Sequence, residues 1–488
     1  MKNKSIKTNA LLNGFRTVLN LIFPLITFPY ISRVLSVDDI GKYNFSNSIV
    51  TYFLLIAALG IDKYAIREGT KYRDNRKEFS KFASEVFTLN LISTLVSYLL
   101  LFLYIVCSDK ASSYKSCIII FSLQIFFTSI GAEWIYSIFE EYTYITIRSI
   151  IFKIISIFLL FLCVRKEGDY LTYTWITVFA SVGSNVLNYV NVKRFCDIKI
   201  KFLNPNLKRM LLPVMIIFAS NIAIQIYVNA DITMLGYMKD DYIVGIYGVS
   251  TKIYAIVKSI FAAILTVTIP RFSLYAGKQM KREYQTLFNN VFSILVIIVF
   301  PAMFGLMILG RNVILIIAGS KYIAANTSLS ILSFALIFAL LSSFLNQCVL
   351  LPYKREKVFL KSSLISAIIN VGLNFLFIPA FGEVGAAITT FMSEVSMTVI
   401  NYIGCKNLIS EYIWKKELFK NIISVLTGTI VVIVICYFSV HLINNLVIQT
   451  LVAVLGSIIG YGLLLILFKN KFVFAFIGAI ISKMKNGN

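Results

Sequence analysis

The sequence predicts an all-α integral membrane protein of about 14 transmembrane helices. Three observations carry that prediction. Apolar runs such as 89–106, 334–351 and 422–440 approach the roughly 20 residues that a helix needs to cross a bilayer. The chain is 58% hydrophobic and only 14% charged, too apolar for a soluble core. Its basic residues are sorted by loop, as they are in multi-pass proteins. Lipid offers no partner to a backbone polar group, so each run must satisfy its own, which a helix does. The short alternating segments of a membrane β-barrel do not occur.

The elements follow in order. Span 10–34 carries Arg16, Pro24 and Pro29 and has no small-residue cleavage site, so it reads as a retained helix and not a signal peptide. Spans 43–62, 83–107, 116–138, 147–164 and 171–192 come next, joined by short loops. The most open break is the basic stretch 197–208, which contains Asn204-Pro205. Beyond it lie 211–237 (opened by Pro213), 242–269, 287–309 (interrupted by Pro301), 323–350, 360–379, 383–404, 418–440 and 446–468. Prolines inside such spans free backbone groups and permit bending.

The net charge of +23 would suggest nucleic acid in a soluble protein. Here alternate loops hold roughly 33 Lys/Arg on one side, about nine on the other and about four within helices. The rich side comprises the N-terminal lysines, 63–81, 193–209, 271–282, 354–361, 406–420 and the tail 469–485. The positive-inside rule makes that side, and both termini, cytoplasmic. The charge is a topology signal and a means of holding anionic lipid headgroups; it is not a nucleic-acid footprint. Seven cysteines lie scattered without a CxxC, most of them inside helices, where they read as small buried hydrophobes; Cys107 and Cys117 flank one outer loop, where a disulfide is the alternative.

The chain reads as a duplication. Val34-Leu35 runs into Asp38-Asp39-Ile40-Gly41-Lys42-Tyr43; Met234-Leu235 runs into Asp240-Asp241 and Gly245-Ile246-Tyr247. Thr177, Ser181, Val186, Asn188, Tyr189 and Lys193 fall, at one constant offset, opposite Thr390, Glu394, Val399, Asn401, Tyr402 and Lys406. A basic loop follows the second helix of each copy. Six helices return the chain to its starting side, so both copies share one orientation: a parallel repeat. The expected division is 1–204 for helices 1–6, 205–410 for helices 7–12, and 411–488 for two added helices and a tail.

Polar groups at membrane depth are costly and usually face a cavity or one another. Asn13, Arg16, Asn20 and Thr27 share one face of the first helix. Asn221, Gln225 and Asn229 form a stripe ending in Asp231, and Tyr247, Thr251, Tyr254 and Lys258 another, with Lys252 beside it. Further stripes are Thr177/Ser181/Ser184/Asn188, Ser363/Ser366/Asn370/Asn374 and Thr390/Glu394/Thr398/Asn401. Ser, Thr and Asn also glue membrane helices without further function, so packing stands beside a cavity role for each uncharged stripe. The candidate cavity residues are Arg16, Asn20, Lys153, Asn221, Gln225, Lys252, Tyr254 and Lys258. Four of the six deep charges are basic, which favours an anion, Arg through its bidentate fork and Lys as a point charge. Asp231 and Glu394 are candidates for a coupling-ion site or for counter-ions, Asp231 leaning to the counter-ion and Glu394 to the coupling role. Arg33, Asp62, Arg67, Pro24 and Pro29 lie at helix ends or bends, where snorkelling and gating are the two readings.

Much chemistry is missing from the sequence. There is no GxxxxGK[ST] and no GxGxxG after a strand, and a single histidine leaves no His-based triad or metal cluster. No large outer loop carries the paired carboxylates of a glycan-building enzyme. No cofactor or metal is expected.

The stretch Phe28-Pro29-Tyr30-Ile31-Ser32-Arg33-Val34-Leu35-Ser36, continuing through Asp38 to Tyr43, resembles the start of bacterial polysaccharide-biosynthesis flippases of the Wzx type. Ser36 stands where that family usually has glycine. Leu59-Gly60-Ile61-Asp62 and Ala65-Ile66-Arg67-Glu68 are similar to its second helix end, and 231–247 to its helix 7–8 junction. The resemblance implies the multidrug/oligosaccharidyl-lipid/polysaccharide exporter superfamily: two six-helix lobes in a MATE-like V plus two C-terminal helices. It implies an undecaprenyl-diphosphate-linked oligosaccharide as substrate, for O-antigen or capsular polysaccharide, in the bacterial inner membrane. A polysaccharide polymerase and a chain-length regulator are the implied protein partners. In some relatives the added helices are associated with guiding the lipid tail. A lipid II flippase, a multidrug exporter and, in another class, a glycan-polymerising membrane enzyme are the alternatives.

Overall fold

The computed structural model describes residues 22–200, 206–413, 416–470 and 473–474. All regular structure among them is helical. In order the helices are α1 Ile22–Val34, α2 Val37–Ala58, α3 Ile61–Gly69, α4 Arg76–Cys107, α5 Asp109–Ser113, α6 Lys115–Gly131, α7 Glu133–Ile138, α8 Tyr142–Cys163, α9 Tyr170–Val178 and α10 Asn185–Asn191. They continue as α11 Asn206–Met238, α12 Asp241–Gly277, α13 Lys281–Ile317, α14 Ala325–Phe344, α15 Glu356–Ile413, α16 Lys416–Leu442 and α17 Leu446–Leu467. Ten described spans are long and apolar enough to cross a membrane, and α1 and α6 are shorter apolar helices. The expected count of about 14 crossings is compatible with these elements.

Local chemistry explains where helices begin, break and turn. Ser36 caps α2: its hydroxyl accepts from the Asp39 amide at 3.1 Å, and the Asp39 carboxylate accepts from the Ser36 amide at 3.2 Å. This reciprocal box satisfies two donors, and a glycine there would leave the Asp39 amide without its cap. Gly60, at φ +76°, turns the chain from α2 into α3. The span expected over 116–138 is broken at Ala132, which takes a left-handed conformation at φ 38°. Asn185 crowds the same turn, its side chain packing where a Gly131 Cβ would stand and donating to the Phe127 carbonyl. A left-handed residue stops the α-helical ladder, so α6 and α7 are separate helices. In α15 the break falls at Gly382 (φ 56°), between the spans expected at 360–379 and 383–404. The loop between α8 and α9 is pinned by Asp169, whose carboxyl is held below its usual range by the backbone amides of Arg165 and Lys166.

The chain divides by packing into two compact units, Met1–Gly245 and Ile246–Asn488. This division differs from the division by repeat because α11 packs on α2, α3 and α4. It begins earlier than expected, at Asn206, with Pro213 inside it. Met210 and Val214 bury its first turns in a cluster with Phe79, Val86, Trp134 and Phe195. In the second unit α16 and α17 seat on α13 through Val296, Leu309, Val432, Ala453 and Tyr461. The outward faces are apolar: Phe158 and Leu212 are each 71% exposed and Leu467 80%. Water would not tolerate so continuous an apolar surface, whereas lipid does.

Candidate functional site

The two units carry one repeated hydrogen bond. In the first, Tyr43 of α2 donates to Thr177 Oγ1 of α9 at 3.3 Å. In the second, Tyr247 of α12 and Thr390 of α15 share a 3.2 Å bond. These four residues are the ones the two sequence alignments match, so the duplication extends to side-chain geometry.

The second unit carries a buried ion pair. Lys258 Nζ of α12 donates to Glu394 Oε1 of α15 at 2.8 Å, and the Tyr254 hydroxyl donates to the same oxygen at 3.1 Å. The Lys258 ammonium also lies 5.5 Å from the centre of the Tyr254 ring. Glu394 is 2% exposed, so its charge is sustained by these two donors and not by water. Sequence reading placed Lys258 and Glu394 on separate stripes, with counter-ion to a deep base as one of two readings for Glu394; the fold makes the two residues partners. At the same spacing from Tyr43 the first repeat has Val50 and Leu54, and Ser181 stands opposite Glu394. The ion pair is therefore an addition of the second repeat.

Other members of these stripes bond neighbouring helices or their own backbone. Thr398 donates to the Phe338 carbonyl at 2.7 Å and Asn401 to Ser342 at 2.9 Å, which joins α15 to α14. Ser366 and Ser396 share a 2.9 Å bond, and Thr389 bonds Asn374, across the bend of α15. Asn229 returns to the Gln225 carbonyl of its own helix at 3.3 Å. Asn221 accepts from Lys63 Nζ at 3.0 Å, which ties α11 to α3. Arg33 bonds the Pro29 carbonyl at 2.6 Å and Arg67 pairs with Glu68 at 3.0 Å, both as exposed helix-end groups; Asp62 is also exposed. Pro24 lies within α1. Lys153 sits 5.9 Å from the Phe23 ring centre, Lys252 is half-buried on α12, and Asp231 is buried on α11. Arg16 and Asn20 lie outside the described residues.

Sequence reasoning missed Arg148. Its side chain is 3% exposed and sits 3.3 Å from Glu133. It also donates to the Ser184 carbonyl at 2.9 Å and to Asn185 Oδ1 at 3.3 Å. One guanidinium thus joins α8, α7 and the start of α10. The available signal was a basic residue inside an apolar span with Glu133 one helix earlier.

One end of the first unit is tightly closed. There α2 and α12 begin, α4 ends, α6 begins and α11 ends. A Cβ on Gly41 would stand 1.9 Å from the Asp241 carbonyl oxygen, and one on Gly245 2.2 Å from that of Val37. The crossing is reciprocal, because Val37 and Gly41 hold in α2 the places that Asp241 and Gly245 hold in α12. Around it Tyr114 donates to Asp241 Oδ1 at 2.5 Å, Tyr104 bonds Tyr237, and Phe45 packs over Gly236.

Comparison with known proteins places the chain in a wider group. A family model described as polysaccharide biosynthesis protein matches residues 6–276. A putative O-antigen transporter of Shigella dysenteriae is 22% identical over 393 residues, covering 80% of this chain and 97% of that protein. A solved structure of the lipid II flippase MurJ in an inward closed conformation superposes with a TM-score of 0.74 at 16% identity, over 94% of this chain and 98% of that one. An inward-facing MATE family multidrug transporter of the MOP superfamily gives 0.59 at 11% identity, over 82% and 96%. These two likenesses are of fold, and the fold is the MATE-like one expected.

Proposed function

The chain belongs to the polysaccharide biosynthesis protein family, and from that premise we propose that it is a flippase for undecaprenyl-diphosphate-linked oligosaccharide repeat units. It turns them across the bacterial cytoplasmic membrane for O-antigen or capsule assembly. The observation that carries this reading is the family match over residues 6–276, and a relative aligned over 97% of its length bears the name putative O-antigen transporter. The repeated Tyr–Thr bond supports two homologous lobes, 1–204 and 205–410, that rock by alternating access. Arg16, Lys153 and Lys252 are the groups we assign to the diphosphate, with Asn20, Asn221, Gln225 and Tyr254 as polar lining. A groove of about 450 Å³ between α12, α13, α16 and α17 is lined almost wholly by apolar atoms, among them Pro301, Leu309, Val432 and Tyr461. It suits a prenyl chain and gives α16 and α17 a task. A polysaccharide polymerase and a chain-length regulator are the partners this reading supplies.

The test is translocation in proteoliposomes, with lipid-linked oligosaccharide and lipid II offered separately. Leaflet-specific labelling should show the oligosaccharide lipid moving and lipid II left behind. Arg16→Ala should lower the rate by about tenfold or more, and Arg16→Lys should recover part of it, because the charge returns without the fork. Movement of lipid II alone would overturn the reading.

The orientation is tested in cells. In a cysteine-free background, Asp74→Cys should resist a membrane-impermeant thiol reagent and Asp240→Cys should react. The reverse pattern would invert the topology, with both termini outside.

A further inference from the structure

We propose that a basic cleft at the start of α4 binds the phosphate of a lipid headgroup at the membrane surface. The cleft has a volume of about 580 Å³ and is lined by four cations, Arg76, Lys77, Lys81 and Lys199, against two carboxylates, Glu85 and Asp197. It is a built feature and not a fringe of loop lysines. Ser80 and Ser84, one helical turn apart, lash the segment after α10 alongside the helix. The Asp197 amide donates to Ser80 Oγ at 3.1 Å and the Lys199 amide to Ser84 Oγ at 2.9 Å. Ser84 is 8% exposed and also donates to the Asp197 carbonyl at 3.4 Å. Lys199 is thereby fixed across from Lys77 and Lys81, which share a helix face.

The charge balance of the cleft invites an anion. Arg76 is occupied, donating to the Lys193 carbonyl at 3.0 Å and lying 3.5 Å from Asp197. Among the described residues the ammonium groups of Lys77, Lys81 and Lys199 have no carboxylate partner. Three cations held around one cavity repel one another, and a phosphate group relieves that repulsion while accepting their hydrogen bonds.

Depth selects a lipid as the source of that phosphate. The membrane span expected within α4 starts at residue 83, six residues beyond Lys77 and two beyond Lys81. At a 1.5 Å rise per residue Lys81 lies about 3 Å and Lys77 about 9 Å outside the hydrocarbon, so the pair brackets the headgroup layer. Ile200, half exposed directly after Lys199, offers an apolar neighbour to an acyl or prenyl chain. The cleft shares none of the residues assigned to translocation, so it stands whether or not that assignment holds. The proposed topology decides only which leaflet it serves.

The experiment is lipid retention by the full chain, read by native mass spectrometry after purification in phosphatidylglycerol, in phosphatidylcholine, or with undecaprenyl diphosphate added. The wild type should retain phosphatidylglycerol. The triple variant K77Q/K81Q/K199Q should retain it about tenfold less, and K77R/K81R/K199R should keep it. Lys115→Gln, on a distant basic residue, serves as control. If the triple Gln variant unfolds, Lys199→Gln alone is measured and should show a smaller loss in the same direction. Displacement of phosphatidylglycerol by undecaprenyl diphosphate identifies carrier lipid as the occupant; lack of displacement identifies bulk anionic lipid. Equal retention by wild type and Gln variants overturns the proposal, as does equal retention of phosphatidylcholine. Binding of inorganic phosphate without lipid retention overturns the headgroup assignment.

Discussion

Gly41→Ala will lower the melting temperature of the purified protein by several degrees and reduce translocation at least tenfold. The added Cβ would stand 1.9 Å from the Asp241 carbonyl oxygen and 2.6 Å from its carbon. Both are backbone atoms, so no rotamer change relieves the clash and the starts of α2 and α12 must separate. Overpacking of this kind costs about 1–3 kcal/mol even where side chains can yield. The separation also strains the bond from Tyr114 to Asp241. Gly245→Ala should behave alike, because its Cβ meets the Val37 carbonyl at 2.2 Å. Gly372→Ala is the control, since nothing lies within 4 Å of its Cβ position. A Gly41→Ala protein that melts and translocates like the wild type would show that the crossing is not needed closed.

Features of the fold that depend on one segment were legible in the sequence; those that depend on two were not. Apolar runs announce lipid-crossing helices because each must satisfy its own backbone. The bend at Gly382 lies in the gap the sequence left between its two expected helices, since Pro379 and Gly382 act locally. The break at Ala132 was hidden, because Asn185, far along the chain, packs against that turn. The extension of α13 to Lys281–Ile317, beyond 287–309, was hidden too: Lys281–Thr286 is polar, and Arg311-Asn312 interrupt the apolar residues before Val313–Ile317. Ser36 looked like a mere departure from a glycine, yet its hydroxyl is the cap of α2. The Tyr–Thr pair was half legible, because the repeat aligned both partners while only the fold showed that they touch. The Lys258–Glu394 and Arg148–Glu133 pairs join helices that are separate in sequence, and helix periodicity fixes a face but not the facing residue.

The Lys258–Glu394 pair yields the second large effect, and its asymmetry separates the two roles open to Glu394. Lys258→Met leaves a carboxylate that is 2% exposed with the Tyr254 hydroxyl as its remaining donor in this trio. Stranding a buried charge costs about 3–5 kcal/mol, so this variant should express poorly or melt early. Glu394→Gln strands a lysine whose side chain is still 31% exposed and can turn to water, so its cost should be smaller. The double variant K258M/E394Q removes both charges and should recover most of the stability lost by Lys258→Met alone. Thermal melts of the four proteins give the coupling energy directly as a double-mutant cycle. If Glu394 is only the counter-ion of Lys258, the double variant should also translocate, with an unchanged response to imposed proton or sodium gradients. If Glu394 carries a coupling cation, the double variant should be stable but deaf to the gradient. Stability restored without gradient response would therefore assign the coupling role to Glu394. Stability and response restored together would leave it a structural partner, and the coupling step, if the protein has one, would rest on Asp231 or another group. No recovery of stability in the double variant would contradict the pairing itself.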